Sequence, residues 1–150
     1  MDVQMELSRI LIRELTDGQL IELHEVDGPR SFPIMIGLPE AMAIERRLSG
    51  EAPPRPMTHE LMDSIMATLG GRLDRVVIHE LSEGTFYAVL CIETAEGERL
   101  VDARPSDAIA LTATHGVPIF VSESVLDAVQ QQDMETDPDG EFGPPDEFAP

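Results

Sequence analysis

The chain of 150 residues has no tryptophan and no lysine, and only one cysteine and one tyrosine. A lone Cys91 excludes an intrachain disulfide framework and a thiolate cluster around a metal. It sits in an apolar, strand-like run and reads as a small buried hydrophobe rather than a nucleophile. No run of roughly 18 apolar residues occurs, so no helix is expected to span a bilayer. Met1-Asp2-Val3-Gln4 carries neither the basic nor the apolar region of a signal peptide, and the expectation is a cytoplasmic protein. With so few aromatics, Phe86 and Tyr87 in GTFYAVL read as core packing rather than a base-stacking platform. A Walker loop, GxGxxG, HExxH and a nucleophile elbow are all absent.

Negative charge is abundant instead. Twenty-nine acids face ten basic residues, all of them arginine, for a net charge of −19. Residues 133–150 hold seven of the acids and no base, and the rest of the chain still carries −12. Such a field repels a nucleic-acid backbone, whose binding rests on Lys and Arg neutralising phosphates. The segment 133–150 is also rich in Pro and Gly and lacks periodicity. It is expected to be an acidic disordered tail behind one domain of residues 1–132.

Within that domain a pattern recurs. RILIREL at 9–15 matches RVVIHEL at 75–81 in residue type, and Thr16-Asp17-Gly18 matches Ser82-Glu83-Gly84 as a turn. A strand follows each turn (QLIELHEV, TFYAVLCIET), then a glycine turn at Gly28 or Gly97. Each copy ends in a further strand, a proline, an acid and a small-residue helix: PEAMAI at 39–44 and PSDAIAL at 105–111. The reading is an internally duplicated β-β-β-α unit (about 5–50 and 72–116) with mainly antiparallel strands, hence an α+β fold. Between the copies lies an extra helix, HELMDSIMATL, with Thr58 as its N-cap and one apolar stripe at 61, 62, 65, 66 and 69. A strand at 118–122 and a helix at 123–132 close the domain.

Three stretches place polar residues where a fold does not require them. DARPSDAIAL, 102–111, puts Asp102, Arg104 and Asp107 at one strand-to-helix junction, with Pro105 and Asp107 suited to a first helical turn. Its counterpart IGLPEAM has Glu40 in place of Asp107. In PRPMTHEL, Arg55 sits between prolines and His59 opens a helix, where it could serve as general base or metal ligand. His59 and Asp63, four apart, share a helix face. If both proline-opened helices begin at one cleft, Asp102, Asp107 and Glu40 could share a divalent cation such as Mg²⁺ or Mn²⁺. That arrangement suits metal-assisted phosphodiester hydrolysis. In it His59, Asp102, Arg104 and Asp107 are the catalytic candidates, and Arg55 and Arg104 would grip phosphate.

FPIMIGLPEAMAI (32–44), PRPMTHEL (54–61), GTFYAVL (84–90) and VDARPSDAIAL (101–111) together resemble the bifunctional nuclease domain family, from about residue 4 to about residue 130. The resemblance implies action on both DNA and RNA. Arg55, Thr58, His59 and Leu61 fall on the family's PRPxTHxL block, and the DARPSDAIAL block is intact. The family's usual aspartate after the histidine is Glu60 here. The alternative from a different class is a non-catalytic ligand-binding or protein-interaction module, which the net charge favours. Antiparallel sheets with exposed edges also make a homo-oligomer an expectation.

Overall fold

The apolar alternation at residues 19–25 forms a strand that buries Gln19, Ile21, Leu23 and Glu25 and leaves the residues between them half-buried. A computed structural model describes residues 1–13 and 18–136 and builds seven strands and four helices around it. In chain order these are β1 (Asp2–Leu11), β2 (Gln19–Glu25), β3 (Ser31–Ile36), α1 (Leu38–Ser49), α2 (Thr58–Thr68), β4 (Arg72–Ser82), β5 (Thr85–Thr94), β6 (Gly97–Ala103), α3 (Pro105–Thr112), β7 (Ile119–Ser122) and α4 (Glu123–Thr136). The order β-β-β-α thus occurs twice, with α2 between, and the fold is α+β as expected. β1 ends at Leu11, short of residue 15; residues 14–17, with part of the expected turn, lie outside the described residues. α4 continues to Thr136, four residues into the segment read as tail, and residues 137–150 lie outside the described residues.

All strands share one sheet in the order β3-β2-β1-β7-β4-β5-β6. β1-β2-β3 and β4-β5-β6 are antiparallel meanders. β7 joins them, antiparallel to β1 (Met5 opposite Ile119) and parallel to β4 (Val76 opposite Ile119). Residues of one face (Met5, Ile21, Leu23, Ile34, Val76, Ile78, Ala88, Leu90 and Val121) form a single core with Ile44 of α1, Ala108–Leu111 of α3 and Val125 and Leu126 of α4. α3 is the central helix: seven of its eight residues are buried, Asp107 being the exception.

The sheet is strongly curled. Phe32 of β3 and Phe86 of β5 stack with ring centroids 5.6 Å apart, although four strands separate theirs in the sheet. In a flat sheet five strand spacings would hold them roughly 24 Å apart. The curl carries the end of β3, where α1 begins, to the β4–β5 turn and the start of α3. Two proline-bearing helix starts are thereby brought together.

α2 departs from its sequence reading. Thr58 is its first residue and Met57 the N-cap, with no side-chain cap bond. Met62 and Met66 pack against the core, but Leu61, Ile65 and Leu69 are 51%, 49% and 79% exposed. The helix lies over α3 and β4 at the rim, so only one row of its stripe reaches the core. Among the described residues no helix is long and apolar enough to cross a membrane.

Candidate active site

α1 and α3 open alike. Gly37 and Arg104 are the N-caps, both in extended backbone, and the first helical bonds run from Ala41 N–H to the Gly37 carbonyl and from Ala108 N–H to the Arg104 carbonyl, each 3.0 Å. Glu40 and Asp107 are therefore both the third helical residue, close to the positive end of a helix dipole. The prolines are one step out of phase: Pro39 is second in α1, Pro105 first in α3.

Across these starts runs a chain of polar contacts. The Arg104 guanidinium donates from Nε to Asp107 Oδ2 at 3.0 Å and from Nη1 to Glu40 Oε1 at 3.2 Å. The other oxygen of Asp107 lies 3.0 Å from His59 Nε2, across 48 residues of sequence. His59 is 7% exposed, the only buried residue of α2, while the Arg104 side chain is 63% exposed. Burial opposes ionisation of Asp107, but the hydrogen bonds from Arg104 and His59 outweigh it and hold the carboxyl below its ordinary value. A neutral imidazole that donates Nε2–H to Asp107 keeps Nδ1 as an acceptor. Nδ1 has no partner among the described residues and is not sealed from solvent. Histidine, carboxylate and exposed guanidinium thus stand in a row.

The other candidates lie apart from that row. Asp102 is exposed in β6 opposite Val89, and strand alternation turns it to the face opposite Ala103. Its side chain makes no hydrogen bond or ion pair among the described residues. Arg55 is exposed at a bend before α2 and has no acidic partner among the described residues. Among the described residues, the three carboxylates close enough to hold a metal are Asp74, Glu93 and Glu98, within 4.8 Å of one another. Arg75 crosses that group, with Nη1 3.1 Å from Asp74 Oδ2 and 2.9 Å from Glu98 Oε2.

Arg47 was not anticipated from sequence. It is 6% exposed, and its guanidinium donates to the Ala110 carbonyl at 2.7 Å, Glu60 Oε2 at 2.8 Å and Asp63 Oδ2 at 2.7 Å. It therefore satisfies a carbonyl at the C-terminal end of α3 and ties α1 to α2. Arg46 adds bonds to Glu60 at 2.6 and 3.3 Å. Glu60, held by Arg46 and then by Arg47 against the cost of burial, has its carboxyl lowered from 4.5 to about 2. Glu60 and Asp63 thus face α1, and the helix face that His59 was expected to share with Asp63 divides between two neighbours. A signal was present: Ala41, Ile44 and Arg47 are spaced by three on the apolar side of α1, where an arginine is out of place.

The α+β domain thus brings a buried histidine, a carboxylate and an exposed arginine into contact. The family pattern described as "Bifunctional nuclease domain" matches residues 20–134. Two proteins of Mycobacterium tuberculosis, "Uncharacterized protein MT1877" of strain CDC 1551 / Oshkosh and "Uncharacterized protein Rv1829" of strain ATCC 25618 / H37Rv, are each 43% identical over 117 residues. The match covers 78% of this chain and 70% of each relative. The chain belongs to the bifunctional nuclease domain family.

Proposed function

We propose that the chain hydrolyses phosphodiester bonds of DNA and RNA. The observation that carries this reading is the His59–Asp107 pair, 3.0 Å apart, beside the exposed guanidinium of Arg104. His59 Nδ1 takes a proton from the attacking water as its oxygen bonds to phosphorus. The bond from phosphorus to the leaving sugar oxygen breaks, and the imidazolium returns the proton to that oxygen. Asp107 fixes the ring and stabilises its charged form. Arg104 offsets charge that builds on the phosphate oxygens, and Arg55 is free to hold the strand further along.

A divalent cation does not fit this row as it stands. Both oxygens of Asp107 are engaged by Arg104 and His59, and Glu40 by Arg104, so a cation shared between the acids would have to displace the guanidinium.

Cleavage of supercoiled DNA and single-stranded RNA, with Mg²⁺, with Mn²⁺ and with chelator, tests the reading. The expected result is activity that His59→Ala and Asp107→Asn abolish. Cleavage that survives both substitutions overturns the assignment. A second reading, a non-catalytic module, draws on one observation: Glu40, Glu60, Asp63 and Asp107 are all already paired with arginine. On that reading the same assay yields no cleavage from any variant.

A further inference from the structure

Ser106 is the second residue of α3 and only 6% exposed, yet its hydroxyl has no hydrogen-bond partner among the described residues. No buried polar side-chain atom is sealed off without a partner. The Ser106 Oγ therefore reaches the space that this residue lines, a cleft of about 500 Å³ between β3, the β4–β5 turn and the starts of α1 and α3. Ile34, Ile36 and Phe86 form its apolar wall, and Arg104 and Glu40 lie at its edge.

The two helix starts differ in what they offer this cleft. At α1 the Glu40 carboxylate folds back over Gly37, where a Cβ would collide with Oε2, so negative charge already sits at that helix end. At α3 the Asp107 carboxylate turns aside to His59 and Arg104. The N-cap there gives no side-chain bond, and no described side chain accepts from the Ser106 or Asp107 N–H. Two backbone donors and a buried hydroxyl thus lie at the α3 start without an acceptor among the described residues, beside a guanidinium that is paired with Asp107 and Glu40 but still largely exposed. Donors gathered at a helix start suit a phosphate, and the apolar wall strengthens such contacts by excluding water.

We infer that this cleft is a phosphate subsite, in which the Ser106 hydroxyl and the first N–H groups of α3 bind a phosphoryl group of a nucleic-acid strand. The inference rests on the hydrolytic reading for the identity of the strand, but not for the anion. Arg104 closes the subsite towards His59 and places the bound phosphate next to the acid–base pair. Ser106 is a binding residue and takes no part in proton transfer.

Amide spectra of the ¹⁵N-labelled full chain, recorded at constant ionic strength, test it with three probes: inorganic phosphate, the dinucleotide pTpT and its unphosphorylated counterpart TpT. The amides of Ser106 and Asp107 should move saturably. Response to all three places an internal phosphate in the cleft; response to phosphate and pTpT alone places a terminal one. Ser106→Ala, with its spectrum otherwise unchanged, should weaken binding by about tenfold, equivalent to about 1.4 kcal/mol. Ser106→Thr, which keeps the hydroxyl, should recover part of that loss. Absence of saturable shifts with all three probes overturns the subsite, as does equal affinity of wild type and Ser106→Ala. Cleavage without these shifts removes the subsite and leaves hydrolysis standing. Shifts in a chain that cuts nothing keep the subsite and remove hydrolysis.

Discussion

The start of α1 and the start of α3 are built to one plan and put to different uses. Both have an extended N-cap, a proline in the first turn and an acid as third residue. At α1 the cap is Gly37 and the second residue is Pro39, so that turn has neither a cationic side chain nor a hydroxyl. At α3 the same positions are Arg104 and Ser106. α1 buries only Ala41, Ile44 and Arg47, whereas α3 is buried almost throughout. The plan supplies an acid at a helix start; burial and the residues beside it decide what that acid does. Glu40 meets one cation, while Asp107 links a cation to a histidine.

The widest separation between the two starts is expected in catalysis. Asp107→Asn should lower cleavage by about 10²–10⁴-fold, the usual range for losing an oriented proton-transfer group. Glu40→Gln should cost only a few-fold, because it removes a charge partner of Arg104 and leaves His59 oriented. Equal losses in a plasmid-cleavage assay would erase the distinction.

Stability should separate the far ends of the same helices. Arg47→Met strands the Ala110 carbonyl and leaves Asp63 and Glu60 short of a buried partner, a loss of about 3 kcal/mol in urea unfolding. Arg46→Met, at the more exposed side of Glu60, should cost about 1 kcal/mol or less. A comparable cost for both would mean that burial of Arg47 is not what counts.

Acid should act on this clamp in a defined window. The Glu60 carboxyl is depressed in the folded chain from 4.5 to about 2. Its contribution is therefore complete above the unfolded value of 4.5, declines as the pH falls below it, and is gone once the pH passes through about 2. Urea midpoints followed against pH should fall across that window, and Glu60→Gln should flatten the fall. An unchanged slope in that variant would assign the loss to other carboxylates, such as Asp107, whose pKa is also lowered.

The smallest effect is expected at the α1 cap. Gly37 has φ of −76°, so alanine meets no backbone strain, but its Cβ would push the Glu40 carboxylate off its resting place. Glu40 is the free end of a flexible side chain. Gly37→Ala should accordingly change stability by less than about 1 kcal/mol while loosening the Glu40–Arg104 pair. Chemical shifts of the Arg104 side chain check this directly.

Much of this was legible in the residues. Alternation in β2, the prolines at 39 and 105, and Gly50 at the end of α1, with φ of 75°, mark their elements by local chemistry. His59, Arg104 and Asp107 could each be named as polar residues that a fold does not need. Their union could not, because His59 and Asp107 are far apart in sequence and meet only once α2 is laid over α3. Arg47 and Ser106 escaped for a related reason. What distinguishes them is burial, which three helices and a curled sheet determine jointly. The exposed half of the α2 stripe shows the same limit from the other side: helical period reveals a face but not how much of it finds a neighbour.

β7 is the seam of the molecule. The two meanders have no direct pairing with each other; four residues near the end of the domain, Ile119–Ser122, bond to β1 on one side and β4 on the other. Without that strand β3 and β5 would belong to separate sheets. The cleft lined by β3 on one side and by the β4–β5 turn on the other therefore spans two meanders that the sheet joins only through Ile119–Ser122.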